Sequence, residues 1–91
     1  MLVLQMTAQY RKDRKRAIKR GFPINLLDSV IEMLIEQKPL DPKYRDHDLI
    51  GNYTGFRECR ILLDWLLIYA IDNENLILVA SRTGTHADLF N

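Results

Sequence analysis

Apolar side chains recur through residues 25–37 at Leu27, Val30, Ile31, Leu34 and Ile35, the spacing that lines up one face of an α-helix. This segment is expected to be a core-facing helix, capped by Asn25 and stopped by Pro39 and Pro42. Ahead of it, Leu2 to Met6 reads as a short strand, and Thr7 is suited to cap a helix from Ala8 to Arg20 that closes at Gly21. Apolar positions in that first helix are few, chiefly Tyr10, Ala17 and Ile18, so one narrow face docks while the rest meets water.

From Phe56 the period drops to two. FRECRIL sets Arg57 and Cys59 on one face of a strand and Phe56, Glu58 and Arg60 on the other. WLLIYAI and LILVASR read as strands covered on both faces, with Asp72 to Asn75 turning between them and Asp64 at the turn before the first. These three strands are expected to form an antiparallel meander, followed by the tail TGTHADLFN with a turn at Gly84. The order β-α-α-β-β-β predicts an α+β fold: a small twisted sheet packed against two N-terminal helices, in one domain over residues 1–91.

Composition fits that picture. Of 91 residues, 47% are hydrophobic and 27% charged, with few glycines and prolines, which suits one modest core and argues against disorder or low-complexity repeats. Residues 38–55 form a polar connection whose length is uncommon in a compact domain unless it has a task. The single cysteine, Cys59, excludes an internal disulfide and any cysteine-cluster metal site, and points to a reducing compartment. The apolar runs MLVLQM and Trp65 to Ile71 are too short for a membrane span, so a cytoplasmic protein without membrane contact is expected.

Charge changes the picture more. The formal net charge is only +1, but residues 11–20 (RKDRKRAIKR) hold seven of the 13 basic residues against one acid, which leaves six basic and eleven acidic residues elsewhere. Arg11, Lys12, Arg14, Lys15, Arg16, Lys19 and Arg20 therefore form a stripe suited either to solvent or to an anionic partner such as RNA.

The only histidines are His47, in YRDHD, and His86, in RTGTHADLF. Histidine titrates nearest neutrality and is the natural carrier of a proton in transit, although each taken singly also fits a turn or surface position. Asp64 fits a β-turn equally well, and Arg57, Arg60 and Arg82 fit either solvated strands or a phosphate-binding face. Glu58 and Arg60 share a face and have the option of pairing with each other. No HxH, HExxH, phosphate-cradling glycine loop or Ser-His-Asp arrangement is present, so neither a metal nor a cofactor is expected.

The run PLDPKYRDHDLIGNYTGFRECRILLDWLLIYAI, followed by LVASRTGTHADLF, resembles the YafQ-type branch of the RelE/ParE superfamily of bacterial toxins from type II toxin–antitoxin systems. The resemblance spans nearly the whole chain and implies a RelE-like fold. It also implies a ribosome-dependent, metal-independent endoribonuclease that cuts messenger RNA in the ribosomal A site and is neutralised by a cognate antitoxin, the complex binding its own operator. On this likeness His47, Asp64 and His86 stand at functional positions and Phe90 matches a C-terminal aromatic. Glu58 stands where some relatives have Asp, and Arg60 where some have a further histidine. The implied roles are His86 as general acid, His47 or Asp64 as base or orienting group, Arg60 and Arg82 as phosphate stabilisers, and Phe90 as a stacking platform. Folding is then expected to gather the two imidazoles at one cationic face. Two alternatives follow from the same superfamily: a ParE-like gyrase-binding toxin, which has no use for paired histidines, and a silent antitoxin-binding co-repressor.

Overall fold

A computed structural model describes residues 1–90. Strand β1 (Val3–Met6) leads into helices α1 (Ala8–Lys19) and α2 (Ile24–Ile35). A short strand β2 (His47–Asp48) follows, flanked by single 3₁₀ turns at Pro42–Tyr44 and Gly51–Tyr53. Then come β3 (Arg57–Leu62), β4 (Trp65–Asp72), β5 (Ile77–Thr85) and a five-residue helix α3 (His86–Phe90). The sheet runs β1-β5-β4-β3-β2; β1 pairs parallel to β5, and every other pairing is antiparallel.

The expected helices, meander and α+β class are all present, and the local reasons are visible. Thr7 Oγ1 accepts the Tyr10 N–H at 3.0 Å and donates to the Ser81 carbonyl at 2.8 Å, so the cap of α1 also fastens the helix to β5. Helix α1 ends with Gly21 at φ 79°, where the N–H groups of Gly21 and Phe22 bond back to Ile18 and Ala17, a Schellman closure.

Five details differ from the sequence reading. Helix α2 starts one residue earlier, with Pro23 at its cap position and no side-chain cap bond, so Asn25 lies inside the helix. It stops because Gln37 takes a left-handed conformation (φ 57°) and repeats the Schellman closure onto Leu34 and Met33, before Pro39 is reached. The 38–55 connection contains β2, and the tail contains α3. Gly84 is no turn: it lies inside β5, opposite Leu66, and its lack of a side chain serves a close approach described below.

Two apolar clusters sandwich the sheet. On one face Cys59, Ile61, Trp65, Leu67, Tyr69, Leu78 and Ala80 pack under α1 and α2. On the other, Leu66 and Ile68 meet Leu89 of α3 together with Leu49, Tyr53 and Phe56 of the long connection. This second face is only partly covered, and the candidate residues lie on it. A bulge at Ser81 decides part of its chemistry: Tyr69 pairs with Ala80 but Ile68 pairs with Arg82. The extra residue inverts the alternation and turns Arg82 to the open face.

Candidate active site

The register sets His47 opposite Glu58, Glu58 opposite Ile68, and Ile68 opposite Arg82. Directly opposed residues of antiparallel strands point the same way, so these four make one row across the open face. Arg60 lies two residues along β3 from Glu58 on that same face. Asp64 sits in the β3–β4 turn, and His86 and Phe90 bracket α3.

His86 bonds through Nδ1 to Asp64 Oδ1, and its backbone N–H points at the same oxygen at 3.4 Å. The Asp64 carboxyl is lowered below its ordinary value, chiefly by that imidazole bond, so it is ionised at neutral pH and can only accept. The proton is therefore on Nδ1, and Nε2 is left for exchange. The Phe90 ring lies 6.0 Å from the His86 ring, tilted by 40°, and meets Tyr53 edge-on at 5.7 Å.

His47 is built by the same logic from different parts. Its Nδ1 lies 2.6 Å from the Arg45 carbonyl oxygen, again an obligate acceptor, so Nδ1 donates and Nε2 is free. That Nε2 faces Glu58 Oε1 at 3.7 Å, and Glu58 is itself buried. The edge is held by Asp46, which accepts from the Tyr69 hydroxyl and from Arg57 Nε and Nη2 at 3.2 and 2.8 Å. Arg57 also reaches Asp48 at 2.5 Å.

The expected gathering of the imidazoles takes a different form. Three inter-strand spacings of about 4.8 Å separate β2 from β5, and no contact joins the two rings among the described residues. The face carries two acid–base clusters: His86 with Asp64 and Phe90 at one end, His47 with Glu58 at the other. Arg60, on the intervening strand β3, has no ion pair or side-chain hydrogen bond among the described residues and does not pair with Glu58. Arg82 is engaged elsewhere. Its Nε donates to Asp13 of α1 at 2.7 Å and Nη2 reaches the other oxygen at 3.3 Å.

The basic stripe is likewise divided. Arg14 forks onto Asp28 of α2 at 2.7 and 3.4 Å, while Arg16 and Arg20 both reach Asp88 of α3. Arg11, Lys12, Lys15 and Lys19 form no ion pair among the described residues. The sequence reading missed Asp13, Asp46 and Asp88, whose partners lie far away in the chain. For Asp88 a local signal existed, the Thr85-x-x-Asp88 pattern of a capping box.

The half-open face of this small α+β sheet thus carries two imidazoles with Nδ1 held by an oxygen, His86 on Asp64 and His47 on the Arg45 carbonyl, and with His47 Nε2 3.7 Å from Glu58, side chains chemically able to exchange protons. The chain matches, over residues 2–91, the model of a family described as the bacterial toxin of type II toxin–antitoxin systems, YafQ. It is 40% identical over 88 residues to the mRNA interferase toxin YafQ of Escherichia coli K12, covering 96% of this chain and 94% of that protein. The YafQ chain in a crystal structure of the E. coli DinJ-YafQ complex superposes with a TM-score of 0.90 at 36% identity, covering all of both chains. A metal-bound toxin from Helicobacter pylori superposes with a TM-score of 0.92 at 40% identity, covering 99% of this chain and 100% of that one. This chain belongs to the YafQ family of type II toxins.

Among the described residues no three His, Cys, Asp or Glu side chains come together closely enough to hold an ion, and no step is assigned to one.

Proposed function

We propose that this toxin is an mRNA interferase that cuts messenger RNA on the ribosome in the bacterial cytoplasm, by attack of a ribose 2′-hydroxyl on the adjacent phosphate. The reaction moves one proton from the 2′-hydroxyl and delivers one to the departing 5′-oxygen, leaving a 2′,3′-cyclic phosphate and a 5′-hydroxyl. His47, with Nε2 free and Glu58 beside it to stabilise the imidazolium that forms, takes the first proton. His86, entering the step as an imidazolium whose Nδ1–H is held by Asp64, gives the second from Nε2. Arg60 meets the charge that grows on the phosphoryl oxygens, and Phe90 stacks on a base. Arg82, tied to Asp13, contributes mainly as fixed positive charge.

The observation that carries this reading is the fixed Nδ1 of both imidazoles, which leaves Nε2 as the exchanging atom twice over. The E. coli relative's name, mRNA interferase, supports the activity. The DinJ-YafQ complex supports a cognate antitoxin as the inhibitory partner of this chain. Arg11, Lys12, Lys15 and Lys19 supply the cations for ribosomal RNA.

The test is to incubate the purified toxin with programmed ribosomes and analyse the message ends. Cyclic phosphate and 5′-hydroxyl ends, formed only when ribosomes are present, are expected. Intact message, or ends bearing a 5′-phosphate, contradict the proposal.

A further inference from the structure

Helix α3 has five residues, far fewer than a helix needs to persist by itself in water, and Leu89 is its only buried residue. Yet it carries both His86 and Phe90. What holds it is concentrated on the residue midway between them. Asp88 Oδ2 accepts from Arg20 Nη1 at 2.7 Å and from the Thr85 N–H at 3.0 Å. Oδ1 accepts from Arg20 Nη2 and lies by Arg16 Nη2, both at 3.2 Å. The Asp88 N–H donates back to Thr85 Oγ1 at 3.2 Å, completing a reciprocal capping box. A Cβ at Gly84 would meet Asp88 Cβ at 2.9 Å and Oδ2 at 3.0 Å, so glycine there makes room for this carboxylate.

We propose that Asp88 is a positioning residue for cleavage: held by Arg20 and Arg16 of α1, it fixes α3 so that His86 stays on Asp64 and Phe90 stays beside His86. Arg16 and Arg20 thereby belong to the site's support and not to the RNA-facing stripe. The inference rests on the assignment of His86 as an acid–base group. A misplacement of about 1 Å at a reacting group is enough for a loss of about 10²-fold, and α3 has little else to prevent one.

The experiment compares Asp88→Asn, the double variant Arg16→Gln/Arg20→Gln, and Arg20→Lys with the intact protein. It measures single-turnover cleavage on programmed ribosomes and the ¹⁵N-labelled imidazole resonances of His86. Asp88→Asn and the double variant are expected to lower the cleavage rate constant about 10- to 100-fold, with the half-saturating ribosome concentration within about twofold of wild type. The His86 Nδ1 resonance should lose its Asp64-bonded position. Arg20→Lys keeps the charge and is expected to recover part of the rate. If Asp88→Asn does not fold, the double variant, which leaves the capping box intact, decides. Unchanged rate and unchanged His86 resonances in a folded variant overturn the proposal. If His86→Gln itself cleaves normally, the catalytic reading of His86 is what fails, and the imidazole resonances still test the tether.

Discussion

Arg82 and Asp13, 69 residues apart in sequence, meet through an Nε–Oδ2 bond of 2.7 Å that ties the open-face end of β5 to helix α1. Asp13 has a side chain only 4% exposed, and it also accepts the Thr83 N–H at 3.2 Å. Removing its charge leaves a half-buried guanidinium and a buried amide without their acceptor. Asp13→Ala is therefore expected to destabilise the fold by about 3 kcal/mol, read from urea unfolding with an unchanged dependence on denaturant. A loss under about 0.5 kcal/mol would reduce the pair to a surface contact.

Division of the basic stripe into paired and unpaired cations predicts two different phenotypes. Reversing Arg11, Lys12, Lys15 and Lys19 to glutamate should leave unfolding nearly unchanged while weakening ribosome association. The slope of log K against log salt should fall by about 0.7–0.9 for each phosphate no longer neutralised. Reversing Arg14, Arg16 and Arg20 should instead lower stability, because each loses a carboxylate partner. The same salt slope in wild type and the first variant would return those four cations to a merely solvated face.

The Asp88 carboxyl is held well below the usual carboxylate range, first by the Arg20 hydrogen bonds. A folded pKa below the unfolded one stabilises the fold fully above the unfolded value of about 3.9, and that contribution drains away as pH falls through the folded value. The stability gap between wild type and Asp88→Asn is therefore expected to be constant from about pH 8 to 5 and to shrink progressively below about pH 4. Urea unfolding across that range measures it. A gap as wide at pH 2 as at pH 7 would contradict the charged tether.

Cys59, on β3, is fully buried on the helix-covered face of the sheet, and burial pushes its thiol up to about 12. At neutral pH it stays protonated and out of reach, so iodoacetamide should label it only at the rate of global unfolding. Rapid labelling of the native protein would show that the helix-covered face opens on its own.

Much of this architecture was legible in residue order because it is periodic. The 3, 4, 7, 8 spacing of α2, the cap at Thr7 and the closing Gly21 are local signals, and the faces of β3 follow from simple alternation. The elements that escaped are those too short for any period to show: β2 has two residues and α3 five. The bulge at Ser81 leaves no composition signal either, yet it alone turns Arg82 to the open face. The candidate site was legible as residue types, since two histidines in a chain of this size stand out, but not as geometry. Sequence spacing held no hint that Asp64 is the acceptor for His86, that Glu58 faces His47 while Arg60 stays unpaired, or that three of the seven stripe cations are taken by Asp28 and Asp88.

The central claim is that His86 delivers a proton through Nε2 to the departing oxygen of the cut message. Its most direct test is single-turnover cleavage of ribosome-bound message by His86→Gln, with ribosome affinity measured in parallel. The rate constant is expected to fall about 10²- to 10⁴-fold while affinity stays within about twofold of wild type. Cleavage at the wild-type rate by the folded variant would contradict it.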